Sequence, residues 1–170
     1  MNKLIILLIL LAAVLFTAGC TENPKNTATE LAPDFKGDQG KSVVANLTDL
    51  EQINTSVQTG PVFVKLGSEG CDACREMKPI LNDMAAKYGG RATVMSVDIE
   101  KSPQLAAYFG AYYIPDSFVV VGVENGEYVY MQEDGNVTTD RSQARVQGLT
   151  ETHVYEELME RAILYHENAK

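Results

Sequence analysis

Hydrophobic and polar positions alternate along the chain in a pattern that predicts strands and helices in turn. Residues 61–67 form a compact apolar run with β-branched residues, which is typical of a buried strand. Across residues 71–88 the apolar positions recur every three or four residues, which predicts an amphipathic helix. Gly89 ends this helix, and Pro79 inside it removes one backbone hydrogen bond and predicts a kink.

The same pattern predicts the rest of one domain. Further strands are expected over residues 43–47, 92–98, 117–123 and 127–131, and further helices over residues 49–57, 102–109 and from 150 to about 165. Glu124-Asn125-Gly126 is the turn signal of a hairpin between the last two strands. Thr150 is expected to cap the final helix, with Leu149 and Val154 as a hydrophobic staple. The order βαβαβαββα predicts an α/β domain whose mixed sheet is covered by helices on both faces.

Residues 1–19 are predicted to be a secretory signal peptide rather than part of the fold. A positive start at Lys3 precedes 13 consecutive apolar residues, and small residues then lead to Cys20. A helix of that length spans only about 20 Å, whereas the core of a bilayer is about 30 Å thick. An uncleaved anchor helix is the alternative that this segment leaves open.

The sequence around Cys20 adds a second expectation about the membrane. Residues 16–20, FTAGC, resemble the lipobox of prokaryotic lipoproteins, although Thr17 replaces the usual aliphatic residue. The resemblance implies that Cys20 is lipidated, becomes the first mature residue and anchors the protein outside the cytoplasm; an incidental cysteine is the alternative. Residues 20–40 are polar and contain two prolines and two glycines, which predicts a flexible tether to a domain over residues 41–170.

The charge distribution narrows the range of partners. The chain carries 14 basic and 23 acidic residues, a formal net charge of −9. The basic residues form no cluster, so neither nucleic acid nor an anionic lipid surface is an expected partner.

Cys71 and Cys74 are the expected centre of the chemistry. A disulfide between them would enclose two residues and constrain the unfolded chain very little, so the pair indicates reactivity rather than stability. A structural zinc site needs four ligands, and the only histidines are His153 and His166 on the last helix. Neither a metal nor another cofactor is therefore expected.

The spacing of the pair predicts a role for each sulfur. Residues three apart lie on one helix face, so both sulfurs meet at the first turn of the helix. Its N-terminus stabilises a thiolate and lowers the pKa of a thiol there, which makes the more exposed Cys71 the nucleophile and Cys74 the resolving cysteine. Negative charge on Glu69 and Asp72 is expected to raise the pKa of the Cys71 thiol.

Over roughly residues 44–164 the chain resembles the thioredoxin family. The matching segments are PVFVKLGSEG, the CDAC motif, Pro79, VDIEKSP and YYIPDSFVVVGVENGEYV. The resemblance implies the thioredoxin fold and a redox-active disulfide between Cys71 and Cys74. It also implies that Ile114 and Pro115 form a cis-proline loop that holds substrate backbone beside the sulfurs, and that Gly148 lines the same groove.

The chain departs from the family's pattern at several positions. It has no tryptophan, and CDAC replaces the family's usual CGPC. Lys65 replaces the family's buried acid, and a buried ammonium needs a lowered pKa or a counter-charge, so Lys65 is a candidate modulator of the thiol pKa values. The alternative is that Lys65 extends into solvent and touches neither cysteine. Residues 132–146 are longer than the family's usual connection.

Two hypotheses of function follow. The first is an extracytoplasmic, lipid-anchored thiol–disulfide oxidoreductase that acts on protein thiols and disulfides and exchanges electrons with an unidentified redox partner. The second is a binding module of the same fold that captures a soft metal ion or a partner protein without turnover.

Overall fold

The computed structural model describes residues 43–169, so the predicted signal peptide, the tether and Cys20 lie outside the described residues. The strands within that range are β1 (Ala45–Asn46), β2 (Val62–Gly67), β3 (Thr93–Asp98), β4 (Asp116–Glu124), β5 (Glu127–Met131), β6 (Val137–Thr138) and β7 (Val146–Gln147). The α-helices are α1 (Leu50–Ser56), α2 (Asp72–Tyr88), α3 (Pro103–Tyr108) and α4 (Thr152–Asn168), with a 3₁₀ turn at Arg141–Gln143. Between residues 43 and 169, no helix is both long and apolar enough to cross a membrane.

The strands form one mixed sheet in the order β1-β3-β2-β4-β5-β6, and β7 pairs with the beginning of β4. β3 runs parallel to both β1 and β2, while β2 and β4 are antiparallel. All six residues of the central strand β2 are buried. A strand buried on both faces has this continuous apolar character because helices cover each side of the sheet.

Two apolar cores lie on the opposite faces of the sheet. Phe63, Met77 of α2 and Tyr155 of α4 belong to the first core. Ile53 of α1 and Leu105 of α3 belong to the second. Full burial of one such side chain contributes about 1.5–3 kcal/mol to the stability of the fold. Because helices supply residues to both cores, the prediction of helices on both faces is confirmed.

The beginning of α4 differs from the expectation. The helix starts at Thr152 with Glu151 at its N-cap and has no side-chain cap, so the predicted cap at Thr150 and the staple of Leu149 with Val154 are wrong. The Thr150 N–H instead donates to Tyr155 Oη at 3.1 Å, and that hydroxyl donates to the Gly148 carbonyl at 3.1 Å. Tyr155 thus binds the backbone of the two residues ahead of the helix that this hydroxyl reaches, Gly148 and Thr150.

The long segment over residues 132–146 has structure of its own. β6 extends the sheet beyond β5, while β7, which begins at the end of the segment, pairs with Asp116 and Ser117. Asp140 caps the 3₁₀ turn, because its Oδ1 accepts from the Ser142 N–H at 3.0 Å and from Ser142 Oγ at 2.7 Å. Strands of two residues have no periodic pattern, so the sequence did not predict β6 or β7.

Candidate active site

Cys71 and Cys74 lie at the first turn of α2 and form a disulfide. Cys71 is the N-cap residue, and its Sγ accepts a hydrogen bond from the Cys74 N–H at 3.2 Å. Cys74 is fully buried, whereas Cys71 is partly exposed. The helix N-terminus points its free N–H groups at the Cys71 sulfur, an arrangement that stabilises a thiolate once the disulfide is reduced.

The end of β2 brings the buried sulfur close to the sheet. A Cβ atom placed on Gly67 would lie 2.8 Å from Cys74 Sγ and 2.6 Å from Lys65 Cε. Real Cβ atoms do not approach other atoms this closely, so only glycine fits between these two side chains. Gly67 therefore allows the cysteine pair to sit directly against β2, with Lys65 beside Cys74.

The loop before β4 lies opposite the cysteine pair. The Ile114–Pro115 peptide bond is cis, as the resemblance implied. The carbonyl oxygen of Ile114 lies 3.8 Å from Cys71 Sγ. Gly148, with φ of +80°, donates its N–H to the Pro115 carbonyl at 2.7 Å. The fold thus brings Ile114, Pro115 and Gly148 together beside Cys71, while their role in binding substrate stays a prediction.

Lys65 occupies the expected position beneath the pair. Its side chain is only 4% exposed, so the alternative in which it extends into solvent is wrong. It borders a small cavity of about 50 Å³, whose lining also includes Glu69, Lys78 and Asp98. Burial lowers the pKa of Lys65, and the positive charge of Lys78 lowers it further, against the opposing effect of the two carboxylates. Burial therefore acts on the Lys65 ammonium in the expected direction, with Glu69 and Asp98 as nearby counter-charges. The influence of Lys65 on the thiols stays a prediction.

The sequence profile of the thioredoxin family matches residues 43–144, which is more than half of the chain. The chain belongs to the thioredoxin family. It is similar to thioredoxin from Staphylococcus aureus, with 28% identity over 76 residues that cover 45% of this chain and 72% of that protein. It is also similar to the M-type chloroplast thioredoxin of Zea mays, with 30% identity over 87 residues, 51% of this chain and 52% of the relative.

Comparison of structures supports the fold of this thioredoxin-family chain. A mutant thioredoxin from Halobacterium salinarum matches 75% of this chain and 96% of its own, with 17% identity and a TM-score of 0.55. At that identity the likeness shows the fold alone. The chain spans about half the length of the plant relatives that it matches, 48% for thioredoxin M2 of Arabidopsis thaliana.

The acidic residues of this thioredoxin-family site are paired with cations. Glu69 accepts a hydrogen bond from Lys78 Nζ at 2.8 Å, and Asp72 forms an ion pair with Arg75 one helical turn away. The bond from Lys78 lowers the pKa of the Glu69 carboxyl. A paired carboxylate presents less net charge to a neighbouring sulfur than a free one. Glu69 and Asp72 therefore oppose the Cys71 thiolate less strongly than the bare sequence indicates.

Sequence analysis missed two features that adjoin the site. One is Gly67, whose signal was a glycine two residues after a lysine at the end of an apolar strand. The other is Asp116, which follows Pro115, is fully buried and pairs with Arg141 and Arg145. A carboxylate at the beginning of a buried strand indicated a buried counter-charge, but nothing in the sequence named its partners.

From residue 43 to residue 169, no group of three or more His, Cys, Asp or Glu residues is arranged to hold a metal ion. His153 lies 3.1 Å from Glu151 at the exposed beginning of α4.

Proposed function

We propose that the protein is a thiol–disulfide oxidoreductase that acts on protein disulfides outside the cytoplasm and is held to the membrane by a lipid on Cys20. The observation that carries the enzymatic part is the arrangement of the two sulfurs. Cys71 is partly exposed at a helix N-terminus and faces the Ile114 carbonyl, whereas Cys74 is fully buried directly behind it. An exposed thiolate that attacks and a buried thiol that resolves are what disulfide exchange requires.

The reaction consists of two exchanges that conserve electrons. In the reduced protein the Cys71 thiolate attacks one sulfur of a substrate disulfide, which forms a mixed disulfide and releases the other substrate sulfur as a thiolate that takes up a proton. The Cys74 thiol then loses its proton, and its sulfur attacks Cys71. The Cys71–Cys74 disulfide forms, and the second substrate thiol leaves. Two electrons pass from the pair to the substrate, and the reverse sequence oxidises a substrate dithiol.

Several residues around the sulfurs assist these steps. The N–H of Cys74 already bonds to Cys71 Sγ, and it stabilises the charge of the attacking thiolate. The backbone of Ile114 and Pro115 lies where an extended substrate segment adjoins the reacting sulfur, and main-chain pairing at such a loop orients the substrate disulfide. Lys65 is a buried cation beside the resolving sulfur and is proposed to favour its thiolate form.

The membrane part of the proposal rests on the sequence of residues 1–20. A charged start, an apolar segment and a small-residue site before a cysteine support export and lipidation. A single acyl chain binds a membrane only marginally, so stable anchoring needs more than one acyl group on the mature N-terminus. The unidentified redox partner then contacts the domain on the extracytoplasmic face of the membrane.

The enzymatic part is tested by the reduction of insulin disulfides with dithiothreitol as the electron source. The purified full-length protein is expected to accelerate the reaction, and Cys71→Ser is expected to abolish that acceleration. Serine matches cysteine in shape but is a poor nucleophile, so folding is preserved and a circular dichroism spectrum serves as the control. A Cys71→Ser protein with wild-type turnover would contradict the proposal, and capture of protein or soft metal without turnover would favour the binding module.

A further inference from the structure

The loop that carries Ile114 and Pro115 is held at both of its ends by one side chain. Arg141 Nη2 donates to the Gly110 carbonyl at 3.2 Å, at the end of α3. Arg141 Nη1 donates to Asp116 Oδ2 at 3.0 Å, at the beginning of β4. Two residues between these contacts, Tyr112 and Tyr113, are 85% and 72% exposed, so their side chains add little that would hold the loop. The position of the loop therefore depends on how its ends are fixed.

The contact at the second end is a buried ionic cluster. Asp116 is fully buried, and its Oδ2 also accepts from Arg145 Nη2 at 2.7 Å. Both arginine side chains are largely buried, at 11% and 15% exposure. A buried carboxylate is costly without partners, and the loss of one partner from such a cluster leaves charge uncompensated. Asp116 is thus held at a defined place next to Pro115.

Arg141 is itself held by its surroundings. It begins the 3₁₀ turn that Asp140 caps, and its guanidinium lies 5.1 Å from the centroid of the Phe118 ring. The chain that follows returns to the sheet as β7, and Gly148 then bonds to the Pro115 carbonyl. The segment over residues 132–146 thus carries a fixed guanidinium to the loop opposite the cysteines.

We propose that Arg141 is a positioning residue of the redox site, which sets the span from Gly110 to Asp116 and thereby places the Ile114 carbonyl opposite Cys71. The inference rests on the proposed thiol–disulfide exchange and adds a requirement for protein substrates. A protein disulfide needs the loop to orient its backbone at the sulfur, whereas a small soluble disulfide needs only the sulfur. Loss of Arg141 is therefore expected to slow the reduction of protein disulfides and to leave the reduction of small soluble disulfides unchanged.

Two matched variants of the full-length protein test this. Arg141→Lys keeps the positive charge, but a single ammonium on a flexible chain does not hold two acceptors in the fork geometry of a guanidinium. Arg145→Lys keeps the charge and the single contact that Arg145 makes with Asp116. We expect Arg141→Lys to lower kcat/KM for insulin by about tenfold or more, mainly through a higher KM. The rate at which its reduced form reacts with 5,5′-dithiobis(2-nitrobenzoate) is expected to stay at the wild-type value. For Arg145→Lys, both this rate and kcat/KM for insulin are expected to match the wild type.

Amide hydrogen exchange measured by NMR gives a readout that does not depend on activity. Amides of residues 111–114 are expected to exchange faster in Arg141→Lys, while those of β2 keep the wild-type rate. If Arg141→Lys does not fold, Arg141→Gln takes its place, because Asp116 and Arg145 then remain as a pair of zero net charge.

Three outcomes are distinguishable. Selective loss of insulin turnover together with faster exchange in the loop supports the positioning role. Equal losses with both substrates, or wild-type exchange at residues 111–114, would overturn it. If the wild type reduces neither substrate, the proposed function fails, and the amide exchange alone decides whether Arg141 holds the loop.

Discussion

Replacement of Lys65 by methionine tests how this thioredoxin-family site controls its buried sulfur. Methionine keeps an apolar stem of similar length and removes the ammonium from beside Cys74. The contacts around Gly67 put that charge no more than about 5 Å from Cys74 Sγ. At about 5 Å, an effective dielectric constant of about 20 gives an attraction of about 3 kcal/mol for a thiolate. Access of water through the cavity at Glu69 and Asp98 screens part of this energy. We therefore expect the pKa of the Cys74 thiol to rise by about 1 to 2 in Lys65→Met.

The kinetic consequence is smaller than the change in pKa. A rise of about 1 to 2 lowers the thiolate fraction at neutral pH by about tenfold to a hundredfold. A more basic thiolate is also a better nucleophile, with a Brønsted coefficient of about 0.4–0.5, which offsets nearly half of that loss. Release of the mixed disulfide by Cys74 is therefore expected to slow by about threefold to tenfold.

The assay is a titration of the reduced protein by thiolate ultraviolet absorbance from pH 6 to pH 9, together with stopped-flow measurement of mixed-disulfide release. Lys87→Met is the matched control, since Lys87 is an exposed cation at the far end of α2 whose ion pair is with Glu156 at 3.0 Å, and it is expected to match the wild type. If the titration and the release rate of Lys65→Met both match the wild type across this range, the reasoning is refuted and Lys65 is a bystander.

The lowered pKa of Lys65 also predicts a dependence of stability on pH. Because burial disfavours the charged form, the folded state binds this proton more weakly than the unfolded state, whose lysine has the ordinary pKa of 10.5. The resulting destabilisation is complete below the folded pKa and is relieved as the pH rises from that value toward 10.5. Denaturant unfolding should therefore show Lys65→Met as more stable than the wild type at neutral pH, with a difference that narrows in alkali. A constant difference would mean that the pKa of Lys65 is the same in the folded and the unfolded states.

The remaining predictions concern the anchor, the order of attack and the packing beneath the pair. Cys20→Ser should release soluble protein or block processing, and recovery of the wild type as a soluble species cleaved elsewhere would contradict lipidation. Cys74→Ser should trap mixed disulfides through Cys71, whereas Cys71→Ser should trap few in the same gel assay; equal trapping would reverse or remove the assigned roles. Gly67→Ala should lower the free energy of unfolding by about 1–3 kcal/mol, because its methyl group would lie 2.8 Å from Cys74 Sγ. Gly122→Ala is the control and should have a smaller effect, because its methyl group would meet no atom within 4 Å. Equal losses in denaturant unfolding would show that the close contact is not the cause.

Most helices and strands followed from the sequence because their signals are local. An apolar run predicted β2, and the spacing of apolar residues predicted α2, which continues through Pro79 from Asp72 to Tyr88. Whether Pro79 kinks the helix stays a prediction. The position of Cys71 and Cys74 at the beginning of α2 was likewise local, because it depends only on where the helix starts.

The short elements and the helix cap were decided by tertiary contacts. β6 and β7 exist because β5 and β4 offer partners to two-residue segments. Ahead of α4, whose N-cap is Glu151 and not the predicted Thr150, the hydroxyl of Tyr155 binds the backbone of Thr150 and Gly148.

The sequence by itself determined the reactive pair and identified Lys65 as an unusual residue in an apolar strand. Only the tertiary structure decided what these residues face. Asp116 and Arg141 are 25 positions apart, and their ion pair forms because the sheet and the segment over residues 132–146 bring them together. Gly67 lies between the side chains of Lys65 and Cys74 only because α2 packs against β2. Such contacts join residues remote along the chain, and their energy depends on burial that no local pattern of residues records.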